Sequence, residues 1–330
     1  MDYSSIIFGC EGMKLTKSER SFFRDAKPWA FILFSRNLGT PDQIKNLCIE
    51  LRECVGRNAP ILIDQEGGRV ARLKSPTWLE WLPPLEQMQR VKPEDTHKAM
   101  YLRYRLIAHE LRLLGIDVNC APMVDIPSLF SHEIITNRCY GGNPKTVSEM
   151  GRACADGLLS GGVLPVLKHI PGHGRGLCDS HFELPIIDTP SNTLETIDFE
   201  PFRSLSDLPM AMTAHIIYSS FDPNFCATIS PIMIKVIRKN IGFDGLLMTD
   251  DISMEAMDGS LSSRAFASLN AGCDVVLHCN GKMKNMIEIM KEIPTLSTKS
   301  KLRAKNAEDL RSDPDNFDFN KGCNDFASLM

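Results

Sequence analysis

The sequence lacks the features that mark membrane, secreted and nucleic-acid-binding proteins. No run approaches the ~18 apolar residues of a membrane-spanning helix. At the N-terminus, Asp2 stands where a secretory signal needs a basic residue. The net charge is −4, so there is no basic excess to attract nucleic acid or an anionic membrane. We therefore expect a cytoplasmic protein that acts on a small molecule, with no nucleic-acid, membrane or obligate protein partner.

Motifs for metals, disulfides and nucleotides are missing as well. The 11 cysteines include no CxxC pair, and the sequence contains neither HExxH nor HxH. Singly spaced cysteines are typical of buried thiols in a reducing compartment, rather than of a disulfide framework or a zinc site. No GxGxxG follows an early strand, and no GKS or GKT is present. We therefore expect no cofactor.

Eight short apolar runs are present, and helix-like stretches with apolar residues at three- and four-residue spacing separate most of them. This alternation predicts a parallel sheet, and the count of eight predicts a TIM-like (β/α)8 barrel, an α/β fold in a single domain. An open doubly wound sheet is the structural alternative. The predicted strands are residues 5–8, 30–34, 61–63, 117–121, 163–167, 210–213, 245–249 and 274–277, and the clearest helices are residues 43–55, 93–114, 146–159, 230–240 and 254–270.

The C-terminal stretch differs in composition from the rest of the chain. Residues 295–330 are rich in Lys, Asp, Asn and Ser, and only the piece near residues 300–310 is weakly helical. We therefore expect a catalytic barrel over residues 1–294 and a polar, peripheral tail over residues 295–330.

Ionisable side chains follow five of the predicted strands. They are Asp64, Lys168 with His169, His215, Asp250 with Asp251, and His278. One Asp at the end of a strand commonly belongs to a turn. The carboxyl ends of barrel strands, however, are where such enzymes carry the active site, so five polar ends in register predict a catalytic face.

The longest polar segment is the glycine- and proline-rich stretch after the fifth predicted strand. It cannot form a helix, so a loop presents its ionisable residues Lys168, His169, His173, Asp179 and His181. The spacing of Asp179 and His181 puts both side chains on one side of an extended chain, where the carboxylate can orient the imidazole as an acid/base. Two alternatives remain open. Asp179 can make a turn beside an idle His181, or the histidines and Asp179 can hold a metal.

Asp250 and Asp251 lie at the end of the strongly apolar seventh run. Neighbouring residues of an extended chain point to opposite sides, so only one of them can face the barrel mouth directly. A carboxylate there can attack an electrophilic carbon or hold a cation. Capping of the next helix is the alternative, and it applies more to Asp251 than to Asp250.

Two further loops carry polar groups suited to a sugar or a carboxylate. The segment after the third run contains Asp64, Glu66, Arg69 and Arg72 around a glycine pair, and Arg138 lies next to another glycine turn. The glycine pair is too short for a phosphate loop.

With these residues in view, the chain resembles the bacterial β-N-acetylglucosaminidases of glycoside hydrolase family 3, cytoplasmic enzymes of peptidoglycan recycling. The similarity covers roughly residues 5–290, and the motifs occur in the family's order. The matching segments are residues 63–70 (IDQEGGRV), 121–126 (APMVDI), 137–141 (NRCYG), 168–174 (KHIPGHG), 179–181 (DSH) and 249–254 (TDDISM). Ile170 departs from the Phe of many members, and residues 176–178 are an unusual lead into the DSH triplet.

The resemblance implies a role for each matching residue. Asp250 is implied as the nucleophile, and His181 as the general acid/base assisted by Asp179. The residues implied to bind the terminal N-acetylglucosamine are Asp64, Arg72, Arg138, Lys168 and His169. A carboxylate nucleophile gives a covalent glycosyl-enzyme and retention of configuration, without a metal or cofactor. The expected substrate is a muropeptide or another N-acetylglucosaminide.

Three other functions remain open at this point. A histidine acid/base does not repel phosphate, so the same scaffold suits a phosphorylase as well as a hydrolase. A metal-dependent barrel hydrolase would use the histidine loop. A non-catalytic sugar-binding protein is disfavoured because Asp250 and His181 are both chemically competent residues.

Overall fold

Eight parallel strands close into a barrel and follow one another around it in chain order. The structure, a computed structural model, describes residues 3–128, 131, 133–176, 184–255 and 257–330. Each strand pairs with its neighbours in sequence, and the eighth pairs with the first. The strands are β1 (Ser4–Gly9), β2 (Pro28–Leu33), β3 (Ile61–Ile63), β4 (Val118–Asn119), β5 (Leu164–Ile170), β6 (Met210–Thr213), β7 (Leu246–Asp251) and β8 (Val275–His278). The predicted (β/α)8 barrel and all eight predicted strands are confirmed.

Alternate residues of the strands belong to two different apolar layers, as the two-residue period of a strand requires. Side chains such as Ile32, Leu62, Val166 and Met248 form one buried cluster, which fills the barrel interior. Their sequence neighbours, such as Phe31, join the larger cluster between the barrel and its helices. Nearly continuous apolar runs therefore mark strands that are covered on both faces.

Helices surround the barrel and connect most successive strands. They comprise Lys17–Ala26, Pro41–Val55, Pro84–Arg90, Thr96–Leu113, Glu133–Thr136, Pro144–Ser160, Ser191–Thr193, Glu200–Ser204, Pro231–Lys235, Leu261–Ala271, Met283–Ile289, Thr298–Asp309 and Phe319–Leu329, with 3-10 turns at Ser35–Asn37 and Pro93–Asp95 and π-helical turns at Leu194–Asp198 and Val236–Ile241. Within the residues that the structure describes, no helix is long and apolar enough to span a bilayer.

Four of the five predicted helices lie within a few residues of their predicted bounds. The start of the fifth, predicted at residue 254, is wrong because that helix begins at Leu261. Ser260 caps it by accepting the Ser263 N–H at 3.2 Å, and Gly259 before it has a positive φ of 86°. The apolar spacing before this helix therefore comes from Met254 and Met257, two buried side chains in the segment after β7, and residues 258–260 are exposed.

The segment after residue 294 packs against the amino-terminal end of the barrel. In the helix Thr298–Asp309, Ala304 and Ala307 are buried with the interior cluster at the amino-terminal end of the barrel. Arg303 of this helix donates to the buried Asp274 at 3.1 Å, and Glu308 accepts from the Trp29 indole at 2.7 Å. The helix closes the bottom of the barrel with small side chains and ion pairs. Because the composition of this helix is polar, its packing against the barrel could not be predicted from composition alone.

Candidate active site

Asp250 lies at the carboxyl end of β7, at the mouth of the barrel. Burial raises the pKa of this carboxyl, but His215, His169, the Asp251 N–H and Lys168 outweigh burial, and the pKa lies below the ordinary value. The Asp251 N–H donates to Asp250 Oδ1 at 2.8 Å. Asp250 is thus ionised at neutral pH, as a nucleophile or a cation ligand must be.

Asp251 has a different role from its neighbour. Its Oδ1 accepts the backbone N–H groups of Ser253 at 3.0 Å and Cys279 at 3.1 Å, and its Oδ2 accepts the Ser253 hydroxyl at 2.7 Å. These bonds hold the turn after β7 against the end of β8. Of the two carboxylates, Asp251 therefore takes the stabilising role within a turn, although not as the cap of the next helix.

A cluster of three cations and two carboxylates lies beside Asp250. Lys168 Nζ is 3.0 Å from Asp64 Oδ1 and 2.6 Å from Glu66 Oε1. Arg72 donates to Asp64 Oδ2 at 3.1 Å, and Arg138 donates to both carboxylate oxygens of Glu66, at 2.9 and 2.7 Å. Residues from the loops after β3 and β4 and from β5 thus meet at one point, as the register of strand ends predicted.

The charges in this cluster hold one another in place. Burial raises the pKa of Asp64, but Lys168 and Arg72 hold it well below the usual range. Glu66 is also buried, yet Arg138 and Lys168 lower its pKa to about 2. Burial lowers the pKa of Lys168, and the same two carboxylates reverse that effect and raise it. Three cations against two anions leave one net positive charge beside the Asp250 carboxylate.

The histidine loop is fixed at its base by a carboxylate. His169 Nδ1 lies 2.7 Å from Asp125 Oδ2, and the His173 N–H donates to Asp125 Oδ1 at 2.6 Å. Asp125 is completely buried. The His169 and His173 rings meet edge to face with centroids 5.4 Å apart. This places His169 next to the cluster in a fixed orientation.

Two glycines let this loop pack tightly. Gly172 has a positive φ of 142°, and its carbonyl accepts the Tyr218 hydroxyl at 2.6 Å. A Cβ on Gly174 would lie 1.9 Å from the Ile126 carbonyl oxygen, so no side chain fits there. The chain from His169 to Gly174 therefore leaves the barrel along a defined path.

His215, at the end of β6, completes the ring around Asp250. Its Nδ1 lies 2.7 Å from the Thr228 hydroxyl, and its Nε2 lies 3.1 Å from the Asp251 carbonyl oxygen. Because an acceptor-only carbonyl faces Nε2, this nitrogen carries the proton. Burial lowers the pKa of the ring. His215 is therefore held by hydrogen bonds at both ring nitrogens next to the turn that carries Asp250.

The structure brings together six of the predicted site residues: Asp250, Asp64, Arg72, Arg138, Lys168 and His169. Asp179 and His181 lie outside the described residues, so their roles stay predictions. Among the five strand-end groups, His278 does not join the site, because its buried ring packs edge-on against Phe8 behind the barrel wall at 5.9 Å.

Of the two buried carboxylates that fix the site, Asp125 was not predicted as a site residue, and Glu66 was named only among the polar groups of its loop. Glu66 pairs with Arg138 across 72 positions of sequence and Asp125 with His169 across 44. Asp125 follows the fourth predicted strand by a few residues, so a wider application of the strand-end rule would have found it. Within the described ranges, no three His, Cys, Asp or Glu side chains are grouped to hold a metal ion.

The chain matches the glycosyl hydrolase family 3 N terminal domain over residues 9–309. A beta-hexosaminidase of Methylobacillus flagellatus is 34% identical over 289 residues, which cover 85% of this chain and 81% of that protein. Another, of Alkalilimnicola ehrlichii, is 37% identical over 285 residues, covering 83% and 80%. The crystal structure of NagZ from Neisseria gonorrhoeae in complex with N-trifluoroacetyl-D-glucosamine has a TM-score of 0.88 at 28% identity, covering 100% of this chain and 98% of that one.

A barrel with an ionised carboxylate among sugar-compatible charges, together with these similarities, defines a glycoside hydrolase. The chain belongs to glycosyl hydrolase family 3, as the sequence motifs predicted.

Proposed function

We propose that this enzyme is a retaining exo-β-N-acetylglucosaminidase that removes a terminal N-acetylglucosamine from peptidoglycan fragments in the cytoplasm. The peptidoglycan fragments that it cleaves are N-acetylglucosaminyl-anhydro-N-acetylmuramic acid, with or without a peptide. The observation that carries the proposal is the ionised Asp250 beside the charged cluster of Asp64, Glu66, Lys168 and Arg138. The gonococcal structure with N-trifluoroacetyl-D-glucosamine and the beta-hexosaminidase relatives support the choice of sugar. The ten described cysteines are free, which agrees with a reducing compartment.

In the first step, Asp250 attacks the anomeric carbon while the bond to the leaving oxygen breaks. His181 donates a proton to that oxygen, and Asp179 orients the imidazole. In the second step, His181 removes a proton from water, whose oxygen attacks the anomeric carbon and releases Asp250. Two inversions at one carbon give net retention. The substrate's acetamido group is not needed as a nucleophile.

The charged cluster binds the sugar that Asp250 attacks. Asp64 has two oxygens with unused acceptor capacity, and it is held by Lys168 and Arg72, so it suits a pair of sugar hydroxyls. Lys168 and Arg138 supply hydrogen-bond donors, and His169 supplies a ring nitrogen. Because each group is fixed by a partner before the sugar binds, little side-chain entropy is lost on binding.

The direct test is hydrolysis of p-nitrophenyl N-acetyl-β-glucosaminide in phosphate-free buffer, with and without EDTA. We expect release of nitrophenol that EDTA does not reduce, and a first-formed sugar product of β configuration. Activity that EDTA removes would instead indicate the metal-dependent hydrolase. A requirement for phosphate, with a sugar phosphate as product, would indicate the phosphorylase.

The role of His181 predicts a dependence on the leaving group. We expect His181→Ala to lower kcat/KM on a disaccharide substrate by about 10³-fold, because loss of a general acid costs about 10² to 10⁴. On p-nitrophenyl N-acetyl-β-glucosaminide, whose phenolate leaves without protonation, the first step should be nearly unchanged. Pre-steady-state release of nitrophenol measures this step. Equal losses on both substrates would show that His181 does not protonate the leaving oxygen.

The path of the histidine loop predicts a strong effect of one methyl group. Gly174→Ala must displace the loop from the Ile126 carbonyl, and a shift of about 1 Å near reacting groups costs about 100-fold in rate. We expect that loss in kcat/KM for the aryl glycoside. Gly142→Ala is the matched control, since nothing lies within 4 Å of its added Cβ. Full activity of Gly174→Ala would contradict a fixed loop base.

A further inference from the structure

We propose that Asp125 is a positioning residue that keeps the proton of His169 on Nδ1 and so determines what the Nε2 side of the ring offers to the substrate. The proposal rests on the proposed function, in which His169 contacts the sugar. Asp125 itself does not reach the substrate. It is completely buried beneath the loop, behind His169.

Asp125 uses both of its carboxylate oxygens. Oδ2 lies 2.7 Å from His169 Nδ1, and Oδ1 accepts the His173 N–H at 2.6 Å. The His169 N–H approaches both oxygens at 3.4 Å. One side chain therefore fixes a ring and two backbone positions of the same loop.

The ionisation of Asp125 decides where the His169 proton lies. Burial raises the pKa of Asp125, but His169, His173 and their hydrogen bonds outweigh burial and lower it. The carboxylate is thus an acceptor only, and a contact of 2.7 Å requires a proton on Nδ1. The state of one ring nitrogen follows from the bond made by the other. Nε2 is therefore the nitrogen left to face the site, where the ring is near enough to affect the pKa of Asp250.

An asparagine of the same shape cannot replace both oxygens. If its single oxygen keeps the His173 N–H, its NH2 group faces His169 Nδ1 and requires a bare nitrogen there, so the proton moves to Nε2. If its oxygen instead keeps His169, the NH2 group meets the His173 N–H, and two donors face each other. Either arrangement removes one of the two functions of Asp125.

The test measures both the proton and the rate in the full-length enzyme. Spectra of ¹⁵N-histidine-labelled protein, with His169 assigned through His169→Gln, report which ring nitrogen carries a proton. We expect a protonated Nδ1 in the wild type across the pH range of activity, and a bare Nδ1 in Asp125→Asn. We also expect Asp125→Asn to lose about 100-fold in kcat/KM for the aryl glycoside, by analogy with the upper end of the cost of removing a carboxylate behind a metal-ligating histidine.

Asp198→Asn is the matched control. Asp198 is also a buried carboxylate that holds this loop, through Arg175 Nε at 2.9 Å from both of its oxygens, but its bonds are to Arg175 and not to His169. We expect less than about 5-fold loss and an unchanged His169 signal in this variant. Equal losses in the two variants, or a bare Nδ1 in the wild type, would overturn the proposal.

The wild-type spectrum keeps the proposal testable even if Asp125→Asn folds poorly. It also separates this proposal from the proposed function. Nδ1 protonation is read from the spectrum without any substrate, whereas failure of the wild type to hydrolyse the N-acetylglucosaminide would count only against the function.

Discussion

Asp250→Asn is expected to lower kcat for p-nitrophenyl N-acetyl-β-glucosaminide by at least about 10⁴-fold, the order of loss seen when a nucleophile is removed. The amide has nearly the volume of the carboxylate and can keep the hydrogen bond from the Asp251 N–H, but it has no charge with which to attack carbon. Because both chemical steps pass through Asp250, no choice of leaving group should restore the rate. Steady-state hydrolysis of the aryl glycoside measures the effect.

Asp251→Asn is the control for that variant because it changes the neighbouring carboxylate on the same strand. The Asp251 side chain bonds to Ser253 in the turn and to Cys279 after β8, and we expect a loss of less than about 10-fold with a lowered melting temperature. If the two variants lost activity equally, the assignment of the nucleophile to Asp250 would be wrong.

The covalent role of Asp250 makes a second expectation possible. In Asp250→Gly the anomeric carbon is open on the side from which the carboxylate attacks. Azide can enter there, form the bond to carbon and displace the aryl oxide, which leaves as nitrophenolate. We expect azide to restore nitrophenol release and to give the α-glycosyl azide, of inverted configuration. Rescue that gives a β-azide would contradict direct attack from the Asp250 side.

The barrel could be predicted from the sequence because its signal is local and repeated. The eight runs are short and apolar, and five of them, such as residues 61–63 and 245–249, are followed by ionisable groups. Each of these features is visible without knowledge of the neighbouring strands. The start of the helix at Leu261 could not be predicted in the same way. Met254 and Met257 have helix-like spacing because both are buried in the segment after β7, and the Ser260 cap marks where the helix begins.

The residues of the site could likewise be predicted only in part. Asp250, Lys168 and His169 are found by their positions at strand ends, since the register of a parallel barrel brings such ends together. The partners that fix them could not be found so readily. Glu66 pairs with Arg138, and Asp125 pairs with His169, because of the paths that the loops take. A single sequence does not reveal those paths. A helical piece near residues 300–310 was predicted, but the packing of the helix Thr298–Asp309 against the barrel was not, because two alanines and one arginine carry much of it.

The cation that joins the two carboxylates predicts the largest effect on stability. Lys168→Met removes the ammonium shared by Asp64 and Glu66 and leaves a buried carboxylate pair with only Arg72 and Arg138 as partners. Breaking a buried ion pair by removing one partner costs about 3–5 kcal/mol. We expect a loss of that size in the free energy of unfolding at neutral pH, measured by urea denaturation, together with a raised KM.

The pH dependence of this loss distinguishes the ion pair from lost packing. Lys168 holds the pKa of Asp64 and Glu66 below their unfolded values, so its stabilising effect is complete above the unfolded carboxyl pKa of about 4. It is lost as the pH falls through the folded values, which for Glu66 lie at about 2. The difference in the free energy of unfolding between wild type and Lys168→Met should therefore decrease as the pH falls from neutral through the carboxyl range. The exposed Lys145→Met is the control and should show little change at any pH. If this difference in the free energy of unfolding stayed constant with pH, the loss would come from poorer packing of methionine, and the charges of the cluster would not stabilise the fold.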